Sequence, residues 1–178
     1  MSKLSVVLPA YNEELMVGKT CRVLAEVLTE AKIPYELVVV NDGSGDRTWE
    51  EIQKAGERDA NVTGVLFSRN FGKEAAMYAG LQAAKGDYVT VMDVDLQDPP
   101  SLLPKMYAML QSGTCDCVAA RRSSREGEGK IKSFLSNAFY GVINRLSRTE
   151  IVSGARDYRL MSRKMVDAVM EKLPPEEL

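Results

Sequence analysis

Five short runs rich in valine constrain this chain more than any other feature. They are LSVVLP (4–9), YELVVVND (35–42), VTGVLFS (62–68), DYVTVMD (87–93) and CDCVAAR (115–121). Several are almost continuously apolar, the pattern of strands buried on both faces. Between them, residues 13–31, 46–59, 72–84 and 100–112 follow helical periodicity. Strands alternating with helices at this spacing predict an α/β fold, a mostly parallel sheet flanked by helices and joined by right-handed crossovers. A chain of 178 residues suits one such domain and can bury a real core. No internal repeat is present, so residues 1–178 are read as a single domain.

The pattern changes after Arg121. RRSSREGEGK (121–130) is polar and glycine-bearing and reads as a loop. IKSFLSNAFYGVINRLS (131–147) places Ile131, Phe134, Leu135, Ala138, Phe139, Val142, Ile143 and Leu146 on one helical face. That face packs on the core or rests against a membrane or a partner. A last helix is predicted over 163–172. The chain stops at LPPEEL without a closing element, so a longer protein cut before membrane-associated segments is expected. Net charge is −2. Residues 1–100 hold 10 basic against 16 acidic residues, and 101–178 hold 13 against 9. Such a split arises by chance or marks a C-terminal half that faces something anionic.

Several function classes fall away. With no histidine, Ser-His-Asp and Cys-His catalysis and any His-ligated zinc site are excluded. Cys21, Cys115 and Cys117 form neither a disulfide framework nor a zinc knuckle and read as reduced structural thiols. No apolar run is long enough to span a bilayer, and the N-terminus turns polar too soon for a signal peptide. There is no G-x-x-x-x-G-K-[ST] and no G-x-G-x-x-G after the first strand, which disfavours P-loop NTPases and dinucleotide oxidoreductases. The acidic first half and the few aromatics of the basic second half argue against a nucleic-acid binder.

Open α/β sheets bind ligands beyond the carboxyl ends of their strands. Four polar motifs fall there: PAYNEE (9–14), NDGSGDRT (41–48), SRNFGKE (68–74) and DVDLQD (93–98). Asp93 and Asp95, two apart in extended chain, point the same way and repel unless a cation lies between them. Hard Mg²⁺ or Mn²⁺ with oxygen ligands fits that pair. Asp98, before Pro99 and Pro100, reads as a helix N-cap, and so does Asp46 for the second helix. Asp42, in a tight Asp-Gly turn, is freer to accept a hydrogen bond from a nucleobase or ribose. Asn12 is placed to cap the first helix, and Tyr11 to stack on a base. Arg69 and Lys73 are cations suited to phosphates or to positioning Asp93.

Taken together, VVLPAYNEE, VVVNDGSGDRT, SRNFGKEAAMYAGLQAAKGDYVTVMDVDLQDPP and SGARDYRLMSRK resemble the family 2 glycosyltransferases of GT-A fold. The resemblance covers nearly the whole chain. It is strongest to the polyprenyl-phosphate subgroup, which includes dolichol-phosphate mannosyltransferase and the bacterial undecaprenyl-phosphate (bactoprenol) glucosyltransferases. It implies a GT-A, Rossmann-like sheet, with residues 1–98 as the nucleotide-sugar-binding half and 99–178 as the acceptor half. It implies that Pro9, Ala10, Tyr11, Glu13 and Asp42 line the nucleoside pocket. Lys73 and Gln97 complete the donor site, Gln97 beside the metal and the sugar. Asp93 and Asp95 become the D-x-D metal motif, with Asp95 the direct ligand. Asp157 matches the acidic position proposed as catalytic in the subgroup. Arg121 and Arg159 face the lipid phosphate or the diphosphate.

The implied reaction is inverting transfer of a sugar, glucose from a UDP-linked donor by resemblance, onto a polyprenyl phosphate. Its implied setting is the cytoplasmic face of a membrane, with homo-oligomerisation left open. The alternatives are a family 2 transferase acting on a saccharide hydroxyl and a non-catalytic nucleotide-sugar-binding module. The leading reading accommodates the absence of histidine. A phosphate monoester with a second pKa near 6 is mostly dianionic at neutral pH, so a general base is hardly needed. Asp157 then either takes part in catalysis or pairs locally with Arg156 or Arg159.

Overall fold

The computed structural model describes residues 2–121 and 155–172. The helix expected over 131–147 lies outside the described residues. Six strands form one sheet: β1 (Leu4–Ala10), β2 (Tyr35–Asn41), β3 (Val62–Leu66), β4 (Tyr88–Val91), β5 (Cys117–Arg121) and β6 (Ala155–Ser162). The helices are α1 (Val17–Glu30), α2 (Thr48–Arg58), α3 (Lys73–Ala83), α4 (Leu103–Gln111) and α5 (Arg163–Lys172), with a 3₁₀ turn at Pro100–Leu102 before α4.

The strand order is β3-β2-β1-β4-β6-β5. The four strands β3, β2, β1 and β4 are mutually parallel, as the apolar runs predict. The departure is β6, which runs antiparallel between β4 and β5. Its sequence, ARDYRLMS, is no continuous apolar run. Tyr158 and Leu160 are buried while Arg159 between them is exposed. Such alternation lacks the continuous apolar run of a strand covered on both faces.

Helices cover both faces. Leu4, Val6, Leu8 and Ala10 of β1 join α1, α2 and α4 in one core, to which Tyr158 and Leu160 add. The other face packs Val7, Val38, Val40 and Val89 against Ala76 of α3 and Val166 of α5. α3 lies so close that a Cβ on Gly80 would come within 2.2 Å of Val7 Cγ1. On α1, Val17, Thr20, Cys21, Leu24 and Leu28 are buried at helical spacing, and no side chain caps its start. Tertiary burial therefore holds this helix.

At the amino ends of the strands a buried acid joins three segments. Glu36 accepts from Lys3 Nζ at 2.8 Å, Ser5 Oγ at 2.6 Å and Lys85 N at 2.5 Å. Burial alone would raise its pKa. The hydrogen bonds from Lys3, Ser5 and Lys85 outweigh burial and hold it below the usual 4.5. A depressed carboxylate contributes stability that is present above the unfolded pKa and lost as pH falls through the folded one. Glu36→Gln is therefore expected to cost about 1–3 kcal/mol at pH 7. The deficit should shrink below pH 4, as read by urea denaturation at both pH values. An equal deficit at both would show that the charge contributes nothing.

Candidate active site

The chain crosses from β1 to β2 and β3 on one side, then returns to place β4 on the other side of β1. That reversal leaves a crevice beyond the carboxyl ends of β1 and β4, the expected ligand site of an open α/β sheet. An open cleft of about 300 Å³ lies there. Pro9 and Ala10 enter it from the end of β1, Tyr11 and Glu13 from the loop after it, and Asp42 from just past β2. Asn70 and Gly72 come from the loop before α3, Lys73 and Ala76 from its first turns, and Asp93, Val94 and Asp95 follow β4.

The loops around the cleft are laced together. Asn12 does not cap α1 as the sequence suggests. It has φ +54°, its N–H donates to Ser44 Oγ at 3.0 Å, and its Oδ1 accepts from Gly45 N at 3.0 Å. The reason is distance along the chain: α1 begins only at Val17, with Met16 at the cap position. Arg47, not Asp46, holds the cap position of α2. Asp46 still bonds the first turn, accepting from Thr48 N at 3.0 Å and Thr48 Oγ1 at 2.5 Å. It also accepts from Glu14 N at 3.2 Å. Burial opposes its charge, but these hydrogen bonds prevail and lower its pKa. Glu13 N donates to Thr48 Oγ1 at 2.8 Å, a second tie between the two loops. Pro99, not Asp98, occupies the cap position before the 3₁₀ turn.

Asp42 is less free than its place in a turn suggests. It is 3% exposed, and its two oxygens accept from Phe71 N at 2.7 Å and Gly72 N at 3.0 Å. It thus fixes the loop that starts α3. The next residue reinforces the fit. Gly43 has φ +62°, and a Cβ there would come within 2.1 Å of the Arg69 carbonyl carbon. Arg69 itself is not among the cleft residues. Its guanidinium stacks 4.5 Å from the Phe71 ring centroid. Lys73 is the residue that reaches an acid, with Nζ 2.6 Å from Asp93 Oδ1. Both partners are about half exposed, so the pair contributes at most about 1 kcal/mol and is readily exchanged for another ligand.

Four carboxylates, Glu13, Asp42, Asp93 and Asp95, line the cleft against Lys73. The excess shows in Glu13, whose pKa is raised first by burial and then by the charges of Asp95, Asp46 and Asp93. Asp93 and Asp95 follow β4 in a turn rather than in extended chain, yet both line the cleft. Their hard oxygens in a negative field suit Mg²⁺ or Mn²⁺. Among the described residues no group of three His, Cys, Asp or Glu is placed to hold a metal. Asp93 and Asp95 would supply two carboxylates to such an ion, whose other positions phosphate and water oxygens commonly fill.

Eight residues singled out from the sequence therefore meet in one cleft: Pro9, Ala10, Tyr11, Glu13, Asp42, Lys73, Asp93 and Asp95. Gln97 is exposed beside it, its N–H donating to Asp95 Oδ1 at 3.0 Å. Arg159 is exposed on β6, and its carbonyl accepts from Thr90 Oγ1 at 2.8 Å. Arg121 and Asp157 belong to β5 and β6, and their side chains lie outside the described residues. Asn70, Gly72, Ala76 and Val94 were not anticipated as lining residues. The SRNFGKE motif carries the first two, but only the packing of α3 on β1 shows which of its residues turn inward.

The family model described as glycosyl transferase family 2 matches residues 5–170. An uncharacterised glycosyltransferase of Synechocystis sp. (strain ATCC 27184 / PCC 6803 / Kazusa) is 42% identical over 95% of this chain and 53% of its own length. The bactoprenol glucosyl transferase of Shigella phage SfV is 39% identical over 98% of this chain and 56% of its own. The chain thus spans about half the length of these curated relatives. Among solved structures, glucosyl-3-phosphoglycerate synthase from Mycobacterium tuberculosis, in complex with Mn²⁺, UDP-glucose and phosphoglyceric acid, superposes with a TM-score of 0.64. The match has 24% identity and covers 92% of this chain and 57% of that one. A mannosyltransferase from Pyrobaculum calidifontis in complex with GDP-mannose and Mn²⁺ gives 0.62 at 22% identity, over 94% and 46% of the two chains. These likenesses establish the GT-A fold. With its family model running from the first strand into the last helix, the chain belongs to glycosyl transferase family 2.

Proposed function

We propose that this chain carries the catalytic domain of an inverting, metal-dependent hexosyltransferase. It moves glucose from a UDP-linked donor to a polyprenyl phosphate. The observation that carries this reading is the meeting of Asp93, Asp95 and Lys73 with the β1 and β2 loop residues in one cleft at the reversal of the sheet. The 39% identity to a bactoprenol glucosyl transferase supports the acceptor class.

In this reading the described cleft residues, all between Pro9 and Asp95, make residues 1–98 the donor half, and 99–178 the acceptor half. Tyr11, 51% exposed at the rim, offers a face for a base. Asp42 acts chiefly by holding the Phe71–Gly72 backbone, and its remaining lone pairs serve the nucleoside. Asp93 and Asp95 would hold Mg²⁺ or Mn²⁺, which when bound offsets charge on the leaving diphosphate. Lys73 then exchanges Asp93 for a phosphate oxygen at small cost. Gln97 stands beside the donor sugar.

Arg121 and Arg159 come from neighbouring antiparallel strands. Guanidinium groups there would bind the acceptor phosphate by paired hydrogen bonds. That phosphate is already dianionic, so the chain needs no strong base, and Asp157 orients the acceptor or an arginine. A lipid acceptor and a water-soluble donor place the reaction at a membrane surface, on its cytoplasmic face. Among the described residues no helix is long and apolar enough to cross a membrane.

Calorimetric titration with UDP and with GDP, each with and without Mn²⁺, tests the donor site. Weak binding of UDP without metal, strengthened by Mn²⁺, is expected, with the strengthening lost on Asp95→Ala. A folded protein that binds neither nucleotide would overturn the reading. For the acceptor, Asp157→Asn is expected to slow transfer on the order of 10²-fold, the effect of lost orientation, without abolishing it. Complete loss of turnover would instead point to a hydroxyl acceptor that needs a true general base.

A further inference from the structure

We infer that Thr20, in the first half of α1, is a positioning residue for Asp93 and Asp95. Its hydroxyl donates to the backbone carbonyl of Val94 at 2.5 Å, across 74 residues of sequence. Both residues are buried, Thr20 at 0% and Val94 at 3% exposure. Val94 is the residue between the two carboxylates of the cleft.

The segment around Val94 needs such an anchor. β4 ends at Val91, and Met92 N still donates to Val7 O at 3.0 Å. Beyond that point the chain leaves the ladder and turns, reaching φ +59° at Leu96. A buried carbonyl outside the ladder must find another partner. A helical threonine often returns its hydroxyl to its own helix. Here the hydroxyl leaves the helix and meets that carbonyl. The Val94 side chain packs into the same core as Val17 and Cys21 of α1. Val94 is thus fixed twice, by its side chain and by its carbonyl, and its two neighbours line the cleft. The β-branched Thr20 side chain has few rotamers, which makes it a stiff strut. Two carboxylates lining one cleft repel each other, and an anchored backbone between them would help hold both toward one ion.

This inference rests on the nucleotide and metal reading proposed above, and its test separates the two. Thr20→Val keeps the shape and removes the donor. Thr20→Ser keeps the donor. Hydrogen exchange at the Met92 and Gln97 amides is measured without metal or nucleotide. UDP is then titrated calorimetrically in Mn²⁺ and in EDTA.

Thr20→Val should speed exchange at both amides and weaken UDP binding in Mn²⁺ on the order of tenfold. UDP binding in EDTA should stay unchanged, and Thr20→Ser should restore the wild-type values. Unchanged exchange together with unchanged binding in Mn²⁺ would overturn the role. So would an equal loss in Mn²⁺ and in EDTA, which marks general loosening. If Thr20→Val does not fold, Thr20→Ala undergoes the same measurements with the same criteria. Wild-type protein that binds no UDP in Mn²⁺ refutes the donor-site reading instead, and the exchange data then decide the Thr20 anchor alone.

Discussion

The central strand β1 is covered on both faces, and the rest of the molecule is arranged around that fact. Leu4, Val6 and Val7 are wholly buried, with β2 and β4 hydrogen-bonded on either side. Within such a sheet every backbone donor and acceptor is taken up by the ladder, and an unpaired charge is costly. Charged side chains are therefore displaced to the strand ends. At the amino ends the result is a closed network around Glu36 that ties β1, β2 and the turn before β4. At the carboxyl ends the reversal of strand order opens a crevice instead, and there the carboxylates face a cleft.

The cleft is rigid in its walls and unbalanced in its charge. Asn12, Ser44, Gly45 and Thr48 join the first two loops, and Asp42 joins the second to the third. Such lacing holds binding groups in place before a ligand arrives, which is what transition-state stabilisation requires. The acidic excess, felt by Glu13, is unfavourable in the protein alone. Under the proposed function, a divalent cation and its diphosphate would offset it. The loosely held Lys73–Asp93 pair belongs to the same logic.

Most of the parallel sheet was legible because its strands are buried on both faces and so read as apolar runs. The residue types of the cleft were legible because the polar motifs follow those runs directly. Asp46 does hydrogen-bond the start of α2 because its partner, Thr48, is two residues away, although Arg47 holds the cap position itself. Asn12 was misread as a cap, because its partners Ser44 and Gly45 are remote in sequence. Arg69 and Lys73 looked equivalent, yet one covers Phe71 and the other meets Asp93. β6 leaves no apolar run because the exposed Arg159 separates the buried Tyr158 and Leu160.

By itself, the sequence determined the α/β class, the four parallel strands and the chemistry at their carboxyl ends. It did so because burial on both faces and helical periodicity are local patterns. Only the tertiary structure decided that β6 enters antiparallel, that Asp42 holds a loop, and that Thr20 reaches Val94 from another element. Those outcomes depend on partners tens of residues apart, and no local pattern records which distant groups the packing of the sheet brings within hydrogen-bond reach.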